Sequence, residues 1–206
     1  MLLACFLFSF GVQGQKAEKL LDQAAVRYAH SGGVSVSFAV HSRTVAGEES
    51  FAGRLRMKGE RFTLSTPDLH IWYDGRNQWT YWVRNEEVMV SEPTREEIQV
   101  TNPALIFRHR KGYTATLAGE TLTHDGRPAY DIDLVPHRKP RAGDPSLITI
   151  RIEKATSLPS HIVLRTSSSE LTTIRLQSFK APLTPSDTSF TFDPSFCPAA
   201  TVIDLR

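Results

Sequence analysis

Phe51, Gly53, Leu55 and Met57 alternate with Ala52, Arg54, Arg56 and Lys58, a period of two that predicts a strand with one apolar and one cationic face. Gly59-Glu60, Pro67-Asp68 and Asp74-Gly75 interrupt the apolar pattern as far as Val83. All three pairs carry turn chemistry, and Asp-Gly supplies the positive φ that a tight hairpin needs. Phe51 to Val83 therefore predicts a meander of four strands and three tight turns. Its last strand, Asn77 to Val83, gathers Trp79, Tyr81 and Trp82 into aromatic surface that something must cover.

Upstream, Lys16 to His30 places Ala17, Leu20, Leu21, Ala24 and Tyr28 on one helical stripe, and Gly32-Gly33 follows as a stop signal. The period then changes to two at Val34, Val36, Phe38 and Val40, with a polar turn expected at Ala46 to Ser50. Downstream of the meander, Val88 to Ser91 predicts a short strand. Thr94 to Lys111 turns helical, with Asn102 as cap, Pro103 in the first turn and Gly112 as terminator. Its Leu105, Ile106 and Phe107 form an apolar cluster that can be buried only against a neighbour.

Five further strands are expected: Tyr113 to Ala118, Tyr130 to Val135, Leu147 to Ile152, His161 to Thr166 and Leu171 to Phe179. Lys180 to Ser189 reads as a loop, and Phe190-Thr191-Phe192 as a short strand after it. About ten or eleven strands with only two helical segments exclude a parallel α/β sheet. The pattern implies one strongly curved antiparallel sheet, with the amino-terminal helix and the mid-chain helical insertion on one face.

The chain has 206 residues, 40% of them hydrophobic and 22% charged, enough for one domain with a sizeable core. Its 24 basic and 22 acidic side chains are interspersed and give a net charge of +2, which argues against a nucleic-acid partner. The local basic excess at His137 to Arg141 is flanked by prolines and reads as a solvated loop.

Leu2 to Phe10 is an uncharged apolar run too short to span a bilayer, and Val12-Gln13-Gly14 resembles a signal-peptidase site. The expectation is a signal peptide at 1–14 and one mature domain at 15–206, exported to the periplasm. Leu2-Leu3-Ala4-Cys5 offers a competing reading, lipidation at Cys5. Cleavage would leave Cys197 without an internal disulfide partner.

Nucleophile, metal and phosphate motifs are missing: no GxSxG, HExxH, P-loop or CxxC occurs. The seven histidines are dispersed. Asp131 and Asp133 share a predicted strand face, an arrangement more typical of a wet edge than of an acid–base pair. An enzyme is not the expectation.

Six short motifs occur in a fixed order. They are Gly53-x-Leu55, Lys58 with Phe62, Asp74-Gly75-x-x-x-Trp79-x-Tyr81, Asn102-Pro103-Ala104-Leu105, Phe190-Thr191-Phe192-x-Pro194, and Val202-Ile203-Asp204. This series resembles the LolA-like family of periplasmic outer-membrane lipoprotein carriers over about Lys16 to Asp204. The resemblance implies an incomplete antiparallel barrel whose mouth is covered by helices, acting as a monomer without cofactor. It implies acylated lipoproteins as cargo, an inner-membrane lipoprotein-releasing transporter as donor and an outer-membrane acceptor. Where such carriers often have Arg-Pro, this chain has Lys58-Gly59; Lys58 would keep the charge of a lid contact but not the planar fork.

The implied pocket candidates are Phe38, Leu55, Met57, Phe62, Leu64, Ile71, Trp79 and Tyr81, with Leu105, Ile106 and Phe107 from the helical lid. Each buried methylene contributes about 0.8 kcal/mol, so a carrier that packed acyl chains as tightly as a protein core would never release them. Methionine suits loose, variable contact. The same residues would equally make an ordinary filled core, and the alternation does not say which sheet face is concave.

Overall fold

The computed structural model describes residues 6–29, 32–94, 97–98, 112–166, 170–182, 184 and 186–206. Helix α1 (Phe6–Ala29) precedes strands β1 (Val34–Thr44), β2 (Gly47–Lys58), β3 (Arg61–Ser65), β4 (Leu69–Tyr73), β5 (Gln78–Trp82) and β6 (Glu87–Ser91). Beyond them come β7 (Tyr113–Leu122), β8 (Pro128–Pro136), β9 (Pro145–Glu153), β10 (Pro159–Thr166), β11 (Leu171–Lys180) and β12 (Thr201–Asp204). The order across the sheet is β12-β6-β5-β4-β3-β2-β1-β11-β10-β9-β8-β7. Pairing within the meander and from β7 to β11 is antiparallel, and β12 runs parallel to β6. With β12 and β7 at the two ends, the sheet does not close. This is the incomplete antiparallel barrel, with an amino-terminal helix, that the sequence implied.

The described residues form twelve strands against the expected ten or eleven; the short β12, exposed throughout, was not among the expected ones. Two other expectations are corrected. Phe190-Thr191-Phe192 is not a strand; Asp187–Phe190 forms a 3-10 turn instead. There the Ser186 hydroxyl bonds those of Thr188 and Ser189 at 2.9 and 3.0 Å, local bonds that compete with a ladder. The turn expected over Ala46 to Ser50 is confined to residues 45–46, and Gly47 to Ser50 continue β2. Cross-strand pairs hold this exposed extension: Arg43 Nε donates to Glu48 at 2.8 Å, and His41 Nδ1 lies 2.9 Å from Ser50 Oγ.

The described residues gather into two compact units. The first holds most of α1, the turn end of the β1–β2 hairpin, β7 to β10 and most of β11. On one sheet face, register places Ile132 between Leu117 and Ile150, with Ile162 next, and Leu134 between Ala115 and Ile148. Ala115, Ile132, Leu134, Ile148, Ile150, Ile152 and Ile162 are all buried. Helix α1 lies against this unit: Gly14 approaches the Ala115 carbonyl, and Lys16 Nζ sits 4.6 Å from the Tyr130 ring centroid. Its Ala17, Leu21 and Ala24 are fully buried, the stripe that the helical spacing predicted. The helix begins well before Lys16, so residues 6–10 of the apolar amino-terminal run and the amphipathic segment belong to one 24-residue element.

The second unit holds residues 34–39 of β1, most of β2, strands β3 to β6, the end of β11 and the carboxyl-terminal segment. The candidate site lies here.

Candidate functional site

In the meander, Leu55 pairs with Leu64 and Met57 with Phe62; Phe62 in turn pairs with Tyr73, and Leu64 with Ile71. Residues directly opposite one another share a sheet face. Leu55, Met57, Phe62, Leu64, Ile71 and Tyr73 therefore form one apolar surface across β2, β3 and β4. All are buried except Leu64, which is half-buried. Phe38 of β1 joins them over Gly53, where a Cβ would stand 2.4 Å from Phe38 Cζ and 2.7 Å from the Ser65 carbonyl oxygen. Only glycine leaves room for the ring so close to the backbone.

Trp79 and Tyr81 do not belong to this surface. Register pairs Ile71 with Thr80 and Tyr73 with Gln78, while Trp79 lies opposite Trp72 and Tyr81 opposite His70. The reason is the turn before β5. The Asp74 carboxylate accepts backbone N–H bonds from Arg76 and Asn77 at 2.8 and 2.7 Å, which fixes the turn length and makes Gln78 the first residue facing Tyr73. Burial pulls the Asp74 carboxyl upward, but the bonds from Arg76 and Asn77 prevail and hold it below the usual carboxylate range.

On this opposite face His70 stacks on Tyr81 at 6.1 Å, and Phe196 meets His70 and Trp72 edge-on, each at 5.1 Å. Phe192 meets Trp72 at 5.3 Å. Burial lowers the pKa of His70, and it raises that of the neighbouring Cys197 thiol. Phe192 and Phe196 of the carboxyl-terminal segment thus meet the rings of His70, Trp72 and Tyr81, whereas Trp82, opposite Leu69, stays exposed.

Gln78, which the sequence did not single out, sits beside Tyr73 on the apolar face. Its Nε2 donates to Thr80 Oγ1 at 3.1 Å, while its Oε1 is buried with no partner. A buried acceptor left unpaired costs about 1–3 kcal/mol, and nothing in the alternation pattern signals it.

Of the expected helical insertion, the described part is its start. Thr94 and Glu97 form a capping box: the Glu97 carboxylate accepts from the Thr94 backbone N–H at 2.7 Å, and Thr94 Oγ1 accepts from the Glu97 N–H at 3.3 Å. The sequence reading placed the cap at Asn102, which lies outside the described residues, and missed this one, which the Thr-x-x-Glu signature could have found. Ile98 is buried directly after it. Leu105, Ile106 and Phe107 lie outside the described residues. Lys58 is half-buried at the end of β2, opposite Arg61.

Asp131 and Asp133 are engaged structurally. Arg151 donates to both Asp131 carboxylate oxygens at 2.8 Å, and the Thr149 hydroxyl donates to Asp133 at 2.6 Å. Among the described residues, no three His, Cys, Asp or Glu side chains cluster as metal ligands would. No helix among them is long and apolar enough to cross a membrane.

The fold is defined by an open, largely antiparallel sheet with an amino-terminal helix and a continuous apolar face across β1 to β4. A family model described as outer membrane lipoprotein carrier protein LolA matches residues 7–168, and the chain belongs to that family. No curated protein matches it significantly. Among solved structures, an uncharacterized conserved protein from Thermus thermophilus superposes with a TM-score of 0.63 at 14% identity, covering 92% of this chain and 99% of the other. A DUF1329 family protein from Desulfovibrio piger gives 0.52 at 13% identity over 90% of this chain and 99% of its own. At these identities the likeness is one of fold.

Proposed function

We propose that this protein is a non-enzymatic periplasmic carrier that holds the acyl chains of lipoproteins and passes them from an inner-membrane releasing transporter to an outer-membrane acceptor. Family membership supports the reading, and one observation carries it. Phe38, Leu55, Met57, Phe62, Leu64 and Ile71 form a contiguous apolar face on four adjacent strands. Aromatic rings and a methionine in that face adapt to chains of different length without the interlocking that would trap them. Gln78 Oε1 would accept a hydrogen bond from an amide N–H at the polar end of the cargo.

In this reading residues 1–14 are removed on export, and the mature protein begins at Gln15. The test is mass spectrometry of the protein isolated gently from its own cell envelope, together with competition between a fluorescent acyl probe and a triacylated lipopeptide. A bound acylated partner and displacement of the probe are expected. Absence of both would overturn the proposal.

A second reading rests on Leu2-Leu3-Ala4-Cys5: a membrane-anchored acceptor of the same fold, acylated at Cys5. Metabolic acyl labelling lost in Cys5→Ser would favour it over the soluble carrier.

A further inference from the structure

The alternation that turns Leu55 and Met57 to the apolar face turns Arg54 and Arg56 to the other. There, within the second unit, they line a cleft of about 530 Å³ with Ser35, Ser37, Ser178, Lys180, Thr184 and Ser189. Adjacent strands β2, β1 and β11 supply six of these residues, two from each strand. The 3-10 turn and the loop before it supply Ser189 and Thr184.

Three features define the chemistry. The lining contains three cations, five hydroxyls and no carboxylate. Arg54, Arg56 and Lys180 are engaged in no ion pair or hydrogen bond among the described residues, whereas the arginines at 43, 76, 127 and 151 all pair with acidic side chains. The volume falls within the range typical of small-molecule sites. Three unneutralised charges held close together repel one another, and an anion relieves that repulsion. Guanidinium groups match the oxygens of phosphate in a two-pronged fashion, and hydroxyls donate to those that remain.

We propose that this cleft binds an anionic phosphate-bearing group. The site is separate from the apolar face and does not depend on the carrier reading. The shared chemistry has two sources, a soluble phosphate compound or the headgroup of an anionic phospholipid, and the experiment separates them.

The full chain is titrated calorimetrically with inorganic pyrophosphate, with inorganic phosphate, and with phosphatidylcholine vesicles that contain or lack phosphatidylglycerol. Arg54→Gln, Arg56→Gln and Lys180→Gln, all exposed positions, are compared after their melting curves are matched to the parent. Binding of pyrophosphate is expected to weaken roughly fivefold with each single substitution, the upper end for a solvent-exposed charge pair. It should also fall with added salt. Binding confined to the vesicles containing phosphatidylglycerol, with the same dependence on the three residues, supports the headgroup source.

Acyl-probe affinity should be unchanged in all three variants, so a failure here is distinct from a failure of the carrier reading. The proposal is overturned if neither phosphate compounds nor anionic vesicles bind, or if binding is indifferent to the three substitutions. It is equally overturned if polyglutamate binds through these residues while phosphate compounds do not, which would point to an acidic protein partner.

Discussion

The two units solve the same problem, covering the apolar face of an antiparallel sheet, with different side chains. In the first, Ile132, Ile148, Ile150, Ile152 and Ile162 are buried with Leu134, and α1 lies against the unit. β-Branched chains have few rotamers and pack one way. In the second, the corresponding surface carries Phe38, Leu55, Met57, Phe62, Leu64, Ile71 and Tyr73, mostly side chains that reach further and turn more freely. The first unit has the composition of a fixed core and the second that of a surface able to re-pack. Under the proposed carrier reading, the contrast assigns stability and cargo contact to different parts of one sheet.

The strongest test of that contrast is a pair of substitutions, one in each unit. Ile150 lies between Ile132 and Ile162 and is fully buried, so Ile150→Ala should cost about 2–5 kcal/mol of stability while leaving acyl-probe affinity unchanged. Met57→Leu keeps the volume and should cost less than about 1.5 kcal/mol, but it should narrow the range of acyl lengths bound. Denaturant melts and a probe series of increasing chain length measure the two effects. If Ile150→Ala alters chain-length preference and Met57→Leu does not, the division of labour is wrong.

Gly53→Ala tests how closely the second unit is packed. Its new methyl would collide with the Phe38 ring and the Ser65 carbonyl, and the latter is backbone that cannot rotate away. A loss of about 1–3 kcal/mol is expected, typical of overpacking, with reduced acyl binding because Phe38 must move. A fourth substitution, Thr94→Ala, removes the hydroxyl that caps the Glu97 N–H and should cost about 0.5–2 kcal/mol. If that segment closes over cargo, the same variant releases the acyl probe faster; an unchanged off-rate would separate the segment from the cargo.

Most of the strand framework was legible because alternation is a local property. Phe51 to Val83 folds as the four strands that its turns announced, and β7 to β11 fall where β-branched runs stand. What escaped depends on register or on distant partners. Trp79 looks like a continuation of the apolar face in the sequence, yet the length of the Asp74 to Asn77 turn puts it on the other side. The cationic alternation of Arg54 and Arg56 was visible, but Lys180 lies far along the chain and joins them only through the strand order. Asp131 and Asp133 were read as a wet edge rather than an acid–base pair; the partners that engage them, Arg151 and Thr149 of β9, depend on register and were not visible.

The finest comparison uses one histidine from each unit. His70 in the second has its pKa lowered by burial alone. His161 in the first has its pKa lowered by burial first and then by the charges of Arg151, Arg175 and His124, with Asp131 opposing. For both, the folded value lies below the unfolded 6.5, so the unfolded chain binds the proton more readily. Their contribution to stability is therefore present above pH 6.5 and is lost as pH falls below 6.5 through each folded value. Melting temperatures at pH 7.5, 6.5 and 5.5 should decline, and His70→Gln and His161→Gln should each flatten the decline. Salt distinguishes the units: it screens the cations around His161 but leaves burial untouched. Added salt should thus shrink the difference between parent and His161→Gln at pH 5.5, while the difference for His70→Gln stays the same. Equal salt sensitivity at both positions would show that the two faces are electrostatically alike.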